Sequence, residues 1–92
     1  MYQLFGKKYK NLLKVAESGL SVVPIGTLYS RINKGWNILD AISTPPYHHP
    51  KSLDLRIIEL TSFGIYTSKQ IAEIVGTSPK LVENVLAKIN NL

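Results

Sequence analysis

Three of the chain's five prolines fall within six positions, in the run Thr44-Pro45-Pro46-Tyr47-His48-His49-Pro50-Lys51. Each proline lacks an amide hydrogen and pushes its predecessor toward extended backbone, so no continuous helix passes through this run. The 92 residues are thereby divided near their middle. A chain of this length forms one compact domain or two small helical modules, and it has no room for a multidomain enzyme.

Hydrophobic residues make up 45% of the chain and charged residues 18%, the balance of a globular protein rather than a disordered tail. Cysteine is absent, which excludes disulfide staples, thiolate catalysis and Cys-ligated zinc. His48 and His49 are adjacent, and neighbours in an extended loop point in opposite directions, so no metal site is expected there. No Ser/His/Asp set, glycine-rich phosphate loop or catalytic carboxylate pair is legible; neither an enzyme nor a cofactor is expected. No apolar run approaches the ~18 residues of a membrane span. Met1-Tyr2-Gln3-Leu4-Phe5-Gly6-Lys7-Lys8 lacks the apolar core and cleavage site of a signal peptide. The expected location is a cytoplasm.

Eleven Lys and Arg against six Asp and Glu give a net charge of +5 and a pI near 9.6, which favours a polyanionic partner. The charge is lopsided. Residues 1–46 hold six cations (Lys7, Lys8, Lys10, Lys14, Arg31, Lys34) against Glu17 and Asp40, a net +4. Residues 47–92 hold five (Lys51, Arg56, Lys69, Lys80, Lys88) against Asp54, Glu59, Glu73 and Glu83, a net +1.

In the C-terminal half, Leu53, Leu55, Ile57, Ile58 and Leu60 interleave with Asp54, Arg56 and Glu59, read as a short helix closed by Gly64. Thr67-Ser68-Lys69-Gln70 has the pattern of a capping box, with Tyr66 and Ile71 at the staple positions on either side. The helix it starts runs from Ser68 to Val75, and Gly76 stops it by supplying a left-handed residue. Ser78 can cap a last helix whose first turn accommodates Pro79. That helix, running to about Ile89, sets Val82, Val85, Leu86 and Ile89 on one inward stripe, with Ser78, Lys80, Glu83, Asn84 and Lys88 outward.

In the N-terminal half, Leu12, Leu13, Val15 and Ala16 with Lys10, Lys14 and Glu17 read as an amphipathic helix ending near Gly19. Pro24 bars helix through Leu20 to Gly26, a looser stretch. From Thr27 onward Leu28 and Ile32 stand one turn apart and point inward. Thr27, Ser30, Arg31 and Lys34 are then expected on an outer face with two cations, two hydroxyls and no acid, the inventory for phosphate and base contact. Trp36, the single tryptophan, is expected in the core.

Residues 67–90, through Gln70-Ile71-Ala72-Glu73-Ile74-Val75-Gly76-Thr77-Ser78-Pro79-Lys80-Leu81-Val82-Glu83-Asn84-Val85-Leu86, resemble the helix-turn-helix of bacterial and phage transcription regulators. The resemblance implies close helix crossing at Ala72, a turn at Gly76 and a second helix that enters a major groove. Residues 5–46, through Thr27-Leu28-Tyr29-Ser30-Arg31-Ile32-Asn33-Lys34-Gly35-Trp36 and on to Ala41, Ile42 and Pro45, are similar to a small DNA-binding repeat of phage proteins, found alone or attached to HNH homing endonucleases. The metal-binding residues of the nuclease itself have no counterpart here. The likeness implies that Thr27, Tyr29, Ser30, Arg31 and Lys34 contact DNA while Leu28, Ile32, Trp36, Ala41 and Ile42 form core; Leu20 to Gly26 stands as an insertion relative to it.

The expectation is therefore an all-α protein of two small helix-turn-helix modules, 1–46 and 47–92, joined by the Pro-rich connector or fused into one compact unit. It would bind double-stranded DNA in sequence-specific fashion through Thr27, Tyr29, Ser30, Arg31 and Lys34 and through Ser78, Lys80, Asn84 and Lys88, as a small phage or prophage regulator or recombination accessory factor. The alternative is a phage-encoded modulator that grips a host or phage regulatory protein or its own copy. Glu83 supports that alternative, because a carboxylate faces phosphates unfavourably.

Overall fold

The computed structural model describes residues 1–46 and 52–90; the His48-His49 pair and the connector beyond Pro46 lie outside the described residues. The chain forms two compact units, Met1–His48 and His49–Leu92. Among the described residues these hold six helices and one two-stranded sheet. The fold is mostly helical, and the expectation of an all-α chain is corrected by that sheet.

In the first unit, β1 (Tyr2–Leu4) and β2 (Lys7–Tyr9) pair antiparallel, with Tyr2 opposite Tyr9 and Leu4 opposite Lys7. Two residues, Phe5 at φ 53° and Gly6 at φ 80°, make the turn. Positive φ at both central positions matches the right-handed twist of the strands and is the preferred geometry of a two-residue hairpin. Helix α1 (Leu12–Glu17) follows, started by the Asn11 side chain accepting from the Lys14 amide at 3.0 Å.

The stretch read as an insertion is packed rather than loose. Val23 is buried, Leu20 and Val22 lie against the core, and the Val22 amide donates to the Ile42 carbonyl at 2.8 Å. Helix α2 (Ile25–Asn33) begins directly after Pro24, two residues earlier than the Thr27 start expected from the sequence. Proline's missing amide costs nothing at the mouth of a helix, so Pro24 bounds α2 rather than prolonging a loop. Helix α3 (Ile38–Ser43) completes the unit. Leu4, Val15, Val23, Leu28, Ala41 and Ile42 form its core, drawn from every element save β2 and from the stretch that leads into α2.

The second unit is three helices in mutual contact: α4 (Leu53–Ser62), α5 (Ser68–Val75) and α6 (Pro79–Asn90). Its capping chemistry follows the sequence closely. Thr67 Oγ1 accepts from the Gln70 amide at 3.1 Å while Gln70 Oε1 accepts from the Thr67 amide at 3.0 Å, a reciprocal box that satisfies two otherwise orphaned donors. Gly76 ends α5 at φ 78°, where an L side chain would be strained. Ile57, Leu60, Ile71, Ala72, Val82 and Val85 are the core, with Tyr66 packed against it.

Burial of the Tyr66 phenol pushes its pKa up to about 12, with nearby Arg56 pulling the other way. The fold thus favours the neutral phenol over its value of 10.0 in an unconstrained chain. The corresponding stability is full below pH 10 and is lost as the pH rises toward 12. The urea midpoint of the second unit is expected to fall across that window in the wild type and to fall less in Tyr66→Phe. Equal losses in the two proteins would contradict the assignment.

Candidate nucleic-acid interface

One polar side chain ties α2 to the end of α3. Arg31, expected on the outer face, is only 9% exposed. Its Nη1 donates to the Ala41 carbonyl at 2.8 Å and to the Thr44 carbonyl, closing the C-terminal end of α3. Those carbonyls carry the negative pole of a helix end, so a cation there gains both hydrogen bonds and favourable field. The Trp36 ring covers the guanidinium, 4.5 Å from ring centre to Cζ. Burial lowers the Arg31 pKa by desolvation, and a guanidinium remains charged at neutral pH all the same. Arg31 is therefore a clamp between α2 and α3 rather than a group presented to a partner.

Trp36 is corrected with it. At 38% exposure it lies outside the buried core, as a lid over Arg31. The turn that carries it is tied back by the Trp36 amide donating to the Arg31 carbonyl at 3.0 Å. Asn37 then starts α3, accepting from the Asp40 amide at 2.9 Å and donating to the Asp40 carboxylate at 2.8 Å.

With the clamp on the inside, a stripe is left outside. Gly26, Tyr29, Ser30, Asn33 and the C-cap residue Lys34 are all exposed, at spacings of three and four along α2. Tyr29 is 48% exposed. Thr27 is half-buried beside the stripe. Of the five residues expected here, Tyr29, Ser30 and Lys34 lie together on this stripe, Thr27 borders it, and Arg31 is behind it. Asn33 is the residue that sequence reasoning missed. The signal was there to read, since Asn33 stands four places after Tyr29 and three after Ser30. The stripe carries a cation, an amide, a hydroxyl and a phenol, with no carboxylate.

In the second unit, Lys80, Asn84 and Lys88 are exposed at intervals of four along α6, a row about 12 Å long at 1.5 Å per residue. Ser78 Oγ accepts from the Leu81 amide at 3.2 Å, so its hydroxyl is engaged in starting α6. Glu83 is exposed next to this row. Among the described residues, no cluster of three His, Cys, Asp or Glu is placed to hold a metal ion, and no helix is long and apolar enough to cross a membrane. Comparison with protein-family models, curated proteins and solved structures finds no match to the chain.

Replacing Arg31 by Lys keeps the charge but loses the planar guanidinium that lies against the indole and holds Nη1 between two carbonyls. Urea unfolding followed by Trp36 fluorescence is expected to show a loss of about 2 kcal/mol. A variant as stable as the wild type would contradict the clamp.

Proposed function

We propose that the chain is a DNA-binding protein of phage or prophage type that reads duplex DNA with the exposed stripe of α2. It acts as a small transcriptional regulator or recombination accessory factor rather than as an enzyme. One observation carries this reading: Tyr29, Ser30, Asn33 and Lys34 share one exposed stripe without an acid, in a unit of net charge +4. Ser30 and Asn33 suit base edges, since an amide side chain can pair bidentately with adenine in a major groove. Lys34 suits a phosphate, which fixes register without reading sequence. Lys80, Asn84 and Lys88 on α6 offer a second row of the same chemistry, weakened by Glu83. Two weak contacts joined by a short connector gain affinity through effective concentration.

The second unit supports another reading, in which it contacts a host or phage protein or its own copy. Leu53, Leu55, Ile58, Ile65 and Leu81 are all exposed, with Leu55 at 51%. Light scattering coupled to size exclusion separates a dimer from a monomer, and palindromic recognition requires the dimer.

Fluorescence anisotropy with labelled duplexes across a salt series tests the DNA reading. Lys34→Gln is expected to weaken all sequences alike and to flatten the log affinity against log salt plot by about 0.9. Asn33→Ala is expected to cost about 1–3 kcal/mol on a preferred site and to relax preference at one base pair. Wild-type affinity and selectivity in both variants would rule out α2 as the reading surface.

A further inference from the structure

The strongest concentration of charge in the chain is not on α2. Lys7, Lys8, Lys10 and Lys14, four of its eleven cations, fall within eight residues and all are exposed. Together with Tyr9 and Glu17 they line a shallow depression of about 400 Å³ between the hairpin and α1. Glu17 is the sole acid on its wall, and it is engaged by Lys14 at 3.4 Å. Among the described residues, no carboxylate pairs with Lys7, Lys8 or Lys10. The Lys7 ammonium sits over the Tyr9 ring, 5.6 Å from its centre, which biases one of the lysines toward the strand's own face.

The platform beneath these lysines is ordered. Lys7, Lys8 and Tyr9 belong to β2, whose backbone is paired to β1, and Leu4 of β1 is buried in the core of the unit. A hairpin anchored in this way holds its charges at a fixed place on the unit instead of leaving them on a loose tail. Like charges gathered without partners repel one another and cost stability, an arrangement relieved when an anion enters.

We propose that this lysine-lined depression is a phosphodiester-binding site that holds the backbone of duplex DNA, separate from the base-reading stripe of α2. The inference rests on the reading of the chain as a DNA-binding protein. Its chemistry is distinct from that of α2. Four ammonium groups act as point charges with no amide or bidentate group among them, so they attract phosphate without distinguishing bases. The recess is too small for a base-paired helix, so it meets the duplex along its phosphodiester backbone. The α2 stripe would supply selectivity, and the hairpin would supply affinity and salt dependence.

The test is anisotropy of a labelled random-sequence duplex of about 20 bp over a salt series, using the full chain. The triple variant Lys7→Gln, Lys8→Gln, Lys10→Gln is expected to flatten the salt slope by about 0.9 for each phosphate it no longer neutralises, up to about 2.7. Its preference among sequences should be unchanged, and replacement of the same three residues by Arg should restore the slope. Circular dichroism identical to the wild type shows that the variant is folded. A wild type that binds duplex DNA and a folded triple variant with the same slope would overturn the lysine site while leaving the α2 reading intact. A wild type that fails to bind any duplex at low salt would overturn both. Loss of binding to phosphatidylserine vesicles in the triple variant, with its DNA slope unaltered, would assign the lysines to a lipid surface and overturn the proposal.

Discussion

The first unit depends on a buried guanidinium. Arg31 joins α2 to the end of α3 through the carbonyls of Ala41 and Thr44, and Trp36 closes over it. Both helices are short, six residues in the case of α3, and helices of this length are marginal without tertiary support. The clamp gives that support at the C-terminal end of α3, beside Ala41 and Ile42 of the core. It also decides what α2 presents outward. Once Arg31 points in, helical spacing leaves Tyr29, Ser30, Asn33 and Lys34 on the surface.

Much of the second unit was legible in the sequence, because its signals are local. Thr67 and Gln70 lie three residues apart, Gly76 supplies its own turn, and Val82 and Val85 follow the helical period. Each of these can be read within a window of about one or two turns. The buried Ile57 and Leu60 of α4 were likewise visible as part of an apolar run.

The first unit was less legible, for two physical reasons. Its hairpin turns on Phe5-Gly6, and a phenylalanine at positive φ lacks the Asn or Asp signature by which such turns are usually recognised. Phe5 is instead packed partly against the core, so tertiary contact accompanies what local preference disfavours. The inward role of Arg31 is not legible locally because its partners lie ten and thirteen residues downstream. An arginine beside Ser30 and Lys34 looks like part of a cationic face until the carbonyls at the end of α3 are located. The same holds for Trp36, whose partner is the buried charge and not the aliphatic core.

The resulting division of labour is simple in chemical terms. Within the first unit an internal cation ties two helices together, a polar stripe with one lysine faces outward, and the other four lysines lie along the hairpin and α1. The central claim is that the exposed stripe of α2 meets duplex DNA. Backbone amide chemical-shift mapping on the labelled full chain, titrated with a duplex at low salt, tests it most directly. The largest shifts are predicted to fall at Gly26, Tyr29, Ser30, Asn33 and Lys34. Shifts confined to α4 around Leu55 and Ile58, or no shifts at all, would contradict it.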